Sequence, residues 1–123
     1  MEKKLDIMIV DDNPEVADIL GKLIETDGHK VTVTYDGKKA LKSYQDKKFD
    51  LVFVDISMPG MNGIDFTQKL FELDKNARVV GITGHIGTKE VEEILNAGAL
   101  AFLKKPFSKK DIDQKIEEIL KIG

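Results

Sequence analysis

The sequence contains no cysteine, which excludes a disulfide framework and a thiolate metal site. No segment reaches the ~18 consecutive apolar residues that a membrane-spanning helix needs. The net charge of -3, with 33% charged residues, gives no bulk attraction to nucleic acid or to a membrane surface. No linker, repeat or low-complexity segment interrupts the chain. We therefore expect one cytoplasmic domain over residues 1–123, with a protein as its downstream partner.

Two hydrophobic periodicities alternate along the chain. Short β-branched or aromatic segments predict strands, three of them apolar enough to be buried on both faces. The predicted strands are residues 6–10, 30–35, 50–55, 78–83 and 101–105. Apolar residues at helical spacing follow each strand, and the first such helical face contains Val16, Ile19, Leu20, Leu23 and Ile24. The alternation predicts an α/β fold of (βα)5 type, with a parallel sheet covered on both faces.

The predicted helix boundaries carry ordinary capping residues. Asn13 is the expected N-cap of the first helix and Pro14 its first helical residue. Gly28 is the expected stop of that helix, and Ser108 precedes the last one.

Polar residues end four of the five predicted strands. They are Asp11 and Asp12, Asp55, Thr83, and Lys104 and Lys105. If the strand order is 2-1-3-4-5, these ends are neighbours on the carboxyl rim of the sheet, where open α/β folds bind ligands. Taken singly, Asp12 equally fits a helix-start residue, and Thr83 and Lys105 fit ordinary strand-end residues. Asp55 differs because it follows four apolar residues, and a buried carboxylate is costly to desolvate.

Three carboxylates on one rim need a cation, because like charges at short range raise one another's pKa. The available ligands are hard oxygens, which favour Mg²⁺, with Mn²⁺ as the alternative, over zinc. Magnesium in proteins is usually shared with a phosphate oxygen, whose charge Lys105 can balance and to which Thr83 can donate a hydrogen bond. The sequence has no glycine-rich cradle for a bound nucleotide. The phosphate is therefore expected on the protein, with Asp55 as its covalent acceptor.

Four segments together resemble the receiver domains of two-component response regulators, in particular the stand-alone type used in chemotaxis. The segments are "VDD" at 10–12, "VDISMPGMNG" at 54–63, "GITG" at 81–84 and "AGALAFLKKPF" at 97–107. The resemblance covers essentially the whole chain. It implies a doubly wound, flavodoxin-like sheet of order 2-1-3-4-5, an order for which the chemotaxis members of this family are a standard example.

The resemblance implies a role for each rim residue. Asp55 is similar to the phosphoacceptor of the family. Asp11 and Asp12 resemble the acid pair that, together with Asp55 and the backbone carbonyl of Ser57, holds Mg²⁺. No other cofactor is implied.

The remaining family positions concern the response to phosphorylation. Thr83 resembles the switch hydroxyl, and Lys105 resembles the lysine that contacts the phosphoryl group. Phe102 occupies the aromatic switch position, although the same residue would be core in most α/β proteins. The Lys105–Pro106 bond corresponds to a cis peptide of the family, and His85 and Ser57 stand where variable residues modulate loss of the phosphoryl group.

The function implied by the resemblance is a phosphorylation-activated signalling switch rather than an enzyme. A sensor histidine kinase or phosphotransfer protein would supply the phosphoryl group, and the surface of helix 4, strand 5 and helix 5 would then control a downstream protein. The chain would promote its own phosphorylation and dephosphorylation. Leu100 and Ala101 replace the double aspartate of the winged-helix DNA-binding regulators, so we expect a monomer, with dimerisation on phosphorylation as the alternative.

Three alternatives remain on sequence grounds. The chain could be the receiver part of a longer DNA-binding or enzymatic regulator. A flavodoxin-like redox protein would need a phosphate loop after strand 1, where "DDNPE" is acidic. An aspartate-nucleophile phosphatase usually has a second acid two residues after its nucleophile, where this chain has Ser57.

Overall fold

Strands and helices alternate throughout a computed structural model that describes residues 4–84 and 89–122. The strands are Asp6–Val10 (β1), Lys30–Thr34 (β2), Leu51–Asp55 (β3), Val79–Thr83 (β4) and Ala101–Lys104 (β5). The helices are Pro14–Glu25 (α1), Gly37–Asp46 (α2), Gly63–Leu73 (α3), Lys89–Asn96 (α4) and Lys109–Ile122 (α5). Each strand therefore lies within one residue of its predicted bounds.

The five strands form one parallel sheet in the order β2-β1-β3-β4-β5. The register pairs Val10 with Val54 and Asp55 with Ile82, so β1, β3 and β4 end at nearly the same level. These three central strands are buried on both faces, whereas β2 and β5 are partly exposed edges. The predicted fold class and strand order are confirmed.

Apolar side chains cover the sheet in two layers. One layer lies between the sheet and helices α2, α3 and α4, around Phe66 and Ile94. The other lies between the sheet and helices α1 and α5, around Leu20 and Ile112. Fully burying one such side chain is worth about 1.5–3 kcal/mol, so these layers provide the main stabilisation of the sheet.

The predicted caps are present. The Asn13 side chain accepts hydrogen bonds from the backbone N–H groups of Glu15 (3.1 Å) and Val16 (3.4 Å) at the start of α1. Gly28 has a φ of 88° in the turn after that helix, where its N–H donates to the Glu25 carbonyl. Ser108 exchanges two hydrogen bonds with Asp111, which forms a capping box at the start of α5.

One predicted apolar face is rotated from its expected position. In α1 the fully buried residues are Ala17, Leu20 and Ile24, whereas Ile19 is 58% exposed. Small residues explain the rotation, because a Cβ added at Gly21 would lie 3.2 Å from Val33, so this side of α1 makes the closest approach to the sheet. In the part of the chain that the structure describes, no helix is both long enough and apolar enough to cross a membrane.

Candidate functional site

The carboxylate of Asp55 lies at the carboxyl rim, at the end of the central strand β3. Apolar residues fill the strand before it, and Asp55 itself is only 7% exposed. Immediately beyond it the Ile56 N–H donates to the Ile82 carbonyl (2.9 Å), which continues the pairing with β4. The Ser57 N–H donates to Asp55 Oδ1 (3.0 Å). The strand and this turn together fix the direction in which the carboxylate points.

Two further carboxylates from the loop after β1 join Asp55. Asp11 is completely buried, and its Oδ1 accepts a hydrogen bond from the Asn13 N–H (3.0 Å). Asp12 is exposed. One carboxylate oxygen from each of Asp11, Asp12 and Asp55 lies within 4.8 Å of the others. The structure therefore brings together the acidic residues that the sequence placed on one rim.

The ammonium group of Lys105 reaches the same point from the end of β5. Its Nζ lies 3.2 Å from Asp55 Oδ2, as a hydrogen-bonded ion pair. It lies 3.5 Å from Asp11 Oδ2, which is too long for an ordinary charge-assisted hydrogen bond but close enough for an ion pair. The Lys105 N–H donates to the Thr83 carbonyl (2.7 Å), and the Lys105–Pro106 peptide bond is cis. One cation thus faces two buried carboxylates.

The pKa values of Asp55 and Lys105 reflect two buried carboxylates that share one ammonium group. Burial, followed by the charge of Asp11, raises the pKa of Asp55 to about 6, although Lys105 and the Ser57 N–H act in the opposite direction. Burial lowers the pKa of Lys105, but the charges of Asp55 and Asp11 outweigh it and the net pKa is raised. Lys105 is therefore held protonated, while Asp55 is held in a site that resists its negative charge.

The donor set fits a hard metal cation. Asp11 Oδ2 is buried and has no hydrogen-bond donor among residues 4–84 and 89–122. Leaving such an acceptor without a donor is costly, and Lys105, which is shared with Asp55, compensates its charge only in part. The neighbouring ligands are carboxylate oxygens, which a hard divalent ion prefers. Asp11, Asp12 and Asp55 are thus a set that could hold a metal ion.

The two predicted switch residues lie on adjacent strands. Thr83 is the last residue of β4 and is buried, one register position beyond the partner of Asp55. Phe102 is half-buried on β5 and pairs with Gly81. His85, which the sequence singled out beside Thr83, lies outside the described residues.

Two features near the site were not predicted from the sequence. The first is an open groove of about 440 Å³ beside Lys105, lined by Val16, Ile19, Lys105, Pro106 and Phe107. The sequence contained no signal for this groove, because Ile19 was predicted to lie on the apolar face of α1 and is exposed in the structure. The second is the close packing of Gly63 against the backbone of β3. In the sequence, Gly63 stood out only as the last residue of the segment at 54–63 that carries the family resemblance.

Comparison with known proteins agrees with this fold. The family model for the response regulator receiver domain matches residues 7–117. The chain is 35% identical over 119 residues to the chemotaxis protein CheY of Treponema pallidum, covering 94% of this chain and 82% of that protein. The receiver domain of NtrX from Brucella abortus superposes with a TM-score of 0.90 at 27% identity, covering 96% of this chain and 100% of that domain.

A longer relative shows the same unit as part of a larger protein. The DNA-binding response regulator MtrA of Mycolicibacterium smegmatis is 33% identical over 115 residues, which is 94% of this chain but 50% of that regulator. The chain thus spans about half the length of that relative. Because the family model covers residues 7–117, the chain belongs to the response regulator receiver domains, the phosphorylation-activated switches of two-component signalling.

Proposed function

We propose that Asp55 is the residue on which this switch is phosphorylated, in a reaction that depends on Mg²⁺. The observation that carries the proposal is the convergence of a buried, unsatisfied Asp11 oxygen and the Lys105 ammonium on the Asp55 carboxylate. This arrangement suits a divalent cation bound together with a phosphoryl group. The positive charge of the ion offsets the negative charges of the carboxylates and of the phosphoryl oxygens.

The proposed chemistry is transfer from a phosphohistidine. An oxygen of Asp55 forms a bond to phosphorus while the bond between phosphorus and the imidazole nitrogen breaks, and the imidazole takes a proton from solvent as it leaves. Bound Mg²⁺, held by Asp11, Asp12, Asp55 and the Ser57 carbonyl, would stabilise charge on the transferring group. Lys105 would contact a phosphoryl oxygen. The chain promotes its own phosphorylation and dephosphorylation rather than turning over a separate substrate.

The phosphoryl donor is proposed to be a sensor histidine kinase or phosphotransfer protein that docks on the groove beside Lys105. Ile19 is the largest exposed apolar side chain there, and a solvent-facing isoleucine next to a reactive site is suited to a protein partner. Ile19→Asp should slow transfer from a phosphohistidine protein and leave phosphorylation by phosphoramidate unchanged. Leu73→Asp, at an exposed apolar residue on α3, is the matched control.

The response is proposed to be a population shift. Thr83 would move toward the phosphoryl group and Phe102 would follow, which changes the surface of α4, β5 and α5 that a downstream protein effector reads. Complete switching from 1:99 to 99:1 requires about 5.5 kcal/mol of differential stabilisation, so an intermediate population is compatible with the same mechanism. We expect this chain to act as a single, monomeric cytoplasmic domain that does not itself bind nucleic acid.

A second candidate function comes from the longer relative. MtrA is a DNA-binding response regulator, and the present chain matches about half of it. In that case the same phosphorylation would act on an attached output domain, and dimerisation on phosphorylation would be the first readout to measure.

The central test is mass spectrometry after incubation with Mg²⁺ and phosphoramidate. We expect the wild type to gain one phosphoryl group, and hydroxylamine to remove it, since an acyl phosphate is labile to that nucleophile. Asp50→Asn, at an exposed aspartate just before the first residue of β3, should gain the same group. A phosphorylated Asp55→Asn variant would disprove the assignment.

A further inference from the structure

Gly63, the first residue of α3, lies against the Asp55–Ile56 peptide at the end of β3. An added Cβ at this position would lie 2.4 Å from the Asp55 carbonyl oxygen and 2.7 Å from the Ile56 Cα. Both contacts are to backbone atoms, which cannot rotate away as a side chain can. At Gly37, by contrast, an added Cβ would meet only the flexible side chain of Met61.

The requirement for glycine is one of space. Among the described glycines, a positive φ occurs at Gly28, Gly60 and Gly98, and Gly63 is not one of them. A side chain is therefore conformationally allowed at position 63 but has no room. Ordinary contact begins at 3.4 Å, so the 2.4 Å separation would have to grow by about 1 Å.

Hydrogen bonds fix Gly63 on both sides of its Cα. Its N–H donates to the Ile56 carbonyl (2.9 Å), and its own carbonyl accepts from the buried Thr67 hydroxyl (2.7 Å). The first bond closes the loop from Ile56 to Gly63, and the second ties the loop to the body of α3. Gly63 thus cannot move away from β3 without breaking a bond.

We propose that Gly63 is a positioning residue, which sets the location of the Asp55 carboxylate and of the Ser57 carbonyl through the Asp55–Ile56 peptide. The same short segment carries both groups, and the Ser57 N–H holds Asp55 Oδ1 directly. A displacement of the peptide therefore moves two of the proposed metal ligands together. The inference rests on the proposed function, because it assigns Gly63 a role in that same site.

The test compares Gly63→Ala with Gly98→Ala. Gly98 has a φ of 119°, and its added Cβ would lie 2.5 Å from the Phe71 ring, so the control variant is also strained but lies in the turn between α4 and β5. Unfolding by urea first establishes that both variants are folded. Mg²⁺ affinity is then measured by calorimetry, and the backbone amide shifts of residues 55–57 by NMR in metal-free protein.

Gly63→Ala should weaken Mg²⁺ binding about 10- to 100-fold, the usual effect of disturbing the support of a metal ligand, and should slow phosphorylation by phosphoramidate. It should also shift the amides of residues 55–57 without metal. Gly98→Ala should keep the wild-type Mg²⁺ affinity despite its lower stability. A folded Gly63→Ala variant with wild-type affinity and wild-type amide shifts would overturn the inference.

Two further outcomes are separable. If Gly63→Ala does not fold, Asn62→Ala is tested in its place. This variant removes the side chain that accepts a hydrogen bond from the Asp65 N–H, and so loosens the start of α3 without adding atoms. Weaker Mg²⁺ binding than in Ser108→Ala, which removes the equivalent cap of α5, would support the inference, and equal binding would overturn it. A wild type that neither binds Mg²⁺ nor gains a phosphoryl group would instead disprove the proposed function, and the metal-free amide shifts would still test the role of Gly63.

Discussion

Both ends of the sheet contain two aspartates near one lysine, but the aspartates are exposed to solvent at the amino end and buried at the carboxyl end. At the amino end, the Asp6 N–H donates to Asp50 Oδ2 and the Asp50 N–H donates to the Asp6 carbonyl, both at 2.8 Å. Lys47 lies 3.1 Å from Asp6 Oδ1, and all three side chains reach solvent. At the carboxyl end, Asp11 and Asp55 are buried and share Lys105.

The difference separates a structural ion pair from the proposed phosphorylation site. Charges that stay exposed to water cost little, even where two aspartates face one lysine, and their ion pairs contribute little. Buried carboxylates in excess of their cations reduce stability, and a folded protein retains them where a ligand or a reaction completes the charge balance. The predictions below challenge or refine that contrast.

The largest expected effect comes from removing the cation at each end. Lys105→Met leaves two buried carboxylates facing each other, which should lower the free energy of unfolding at pH 7 by about 2–3 kcal/mol. Lys47→Met breaks a solvent-exposed pair and a contact with the Phe49 ring, at a cost below about 1 kcal/mol. Urea unfolding without Mg²⁺ measures both. Equal losses would contradict the contrast.

The next effect is a dependence on pH. Because the pKa of Asp55 is raised to about 6 from 3.8, its contribution favours the folded state below pH 4 and is lost as the pH rises to 6. Asp55→Asn removes this titration. The variant should therefore exceed the wild type in stability by about 1–2 kcal/mol at pH 7, with the gap closing toward pH 4. Urea unfolding of the two proteins at several pH values checks this, and a gap that is constant with pH would argue against a destabilised Asp55.

Mg²⁺ should reduce the imbalance at the carboxyl end. At a concentration ten times its Kd, the ion should stabilise the wild type by about 1.4 kcal/mol. Asp11→Asn should lose most of this gain, because Asp11 supplies the buried unsatisfied oxygen. Asp50→Asn should keep it. Thermal unfolding with and without Mg²⁺ measures this stabilisation. Equal stabilisation of the two variants by Mg²⁺ would show that the ion does not bind at Asp11.

The smallest effect concerns a hydrogen bond near the amino end. The buried Tyr44 hydroxyl donates to Asp74 Oδ2 (2.6 Å) and lowers the pKa of that carboxyl. Tyr44→Phe should cost about 1 kcal/mol, with no change in Mg²⁺ affinity. The lowered pKa means that this contribution is present above pH 4 and is lost as the pH falls further, opposite in sign to that of Asp55. Any change in Mg²⁺ affinity would show that the two ends are coupled.

Much of the fold was readable because each segment carries its own signal. The apolar runs of β3 and β4 and the cap at Asn13 are local features, and the structure confirms them. The face of α1 was wrong at Ile19 because a count of large apolar residues overlooks Ala17 and Gly21. Small residues allow the closest helix–sheet contact, and that contact decides which face is buried.

The sequence indicated which residues lie on the carboxyl rim, but not how hydrogen bonds and ion pairs are distributed among them. The four polar strand ends follow from the sequence once a parallel sheet is assumed. That Asp11 Oδ2 has no hydrogen-bond donor among the described residues depends on distances of a few tenths of an ångström around Lys105. The close packing of Gly63 was equally hidden, because the sequence does not show which backbone atoms a glycine contacts.

The strand order also has a consequence for synthesis of the protein. Asp11 and Asp55 leave the ribosome early and lie on central strands, whereas Lys105 follows β5, which pairs with β4 alone. A nascent chain therefore has its acidic residues long before it has the lysine that faces them. The ion pairs of Lys105 with Asp11 and Asp55 can therefore form only when β5 docks on β4, which makes this cluster a marker of the completed sheet.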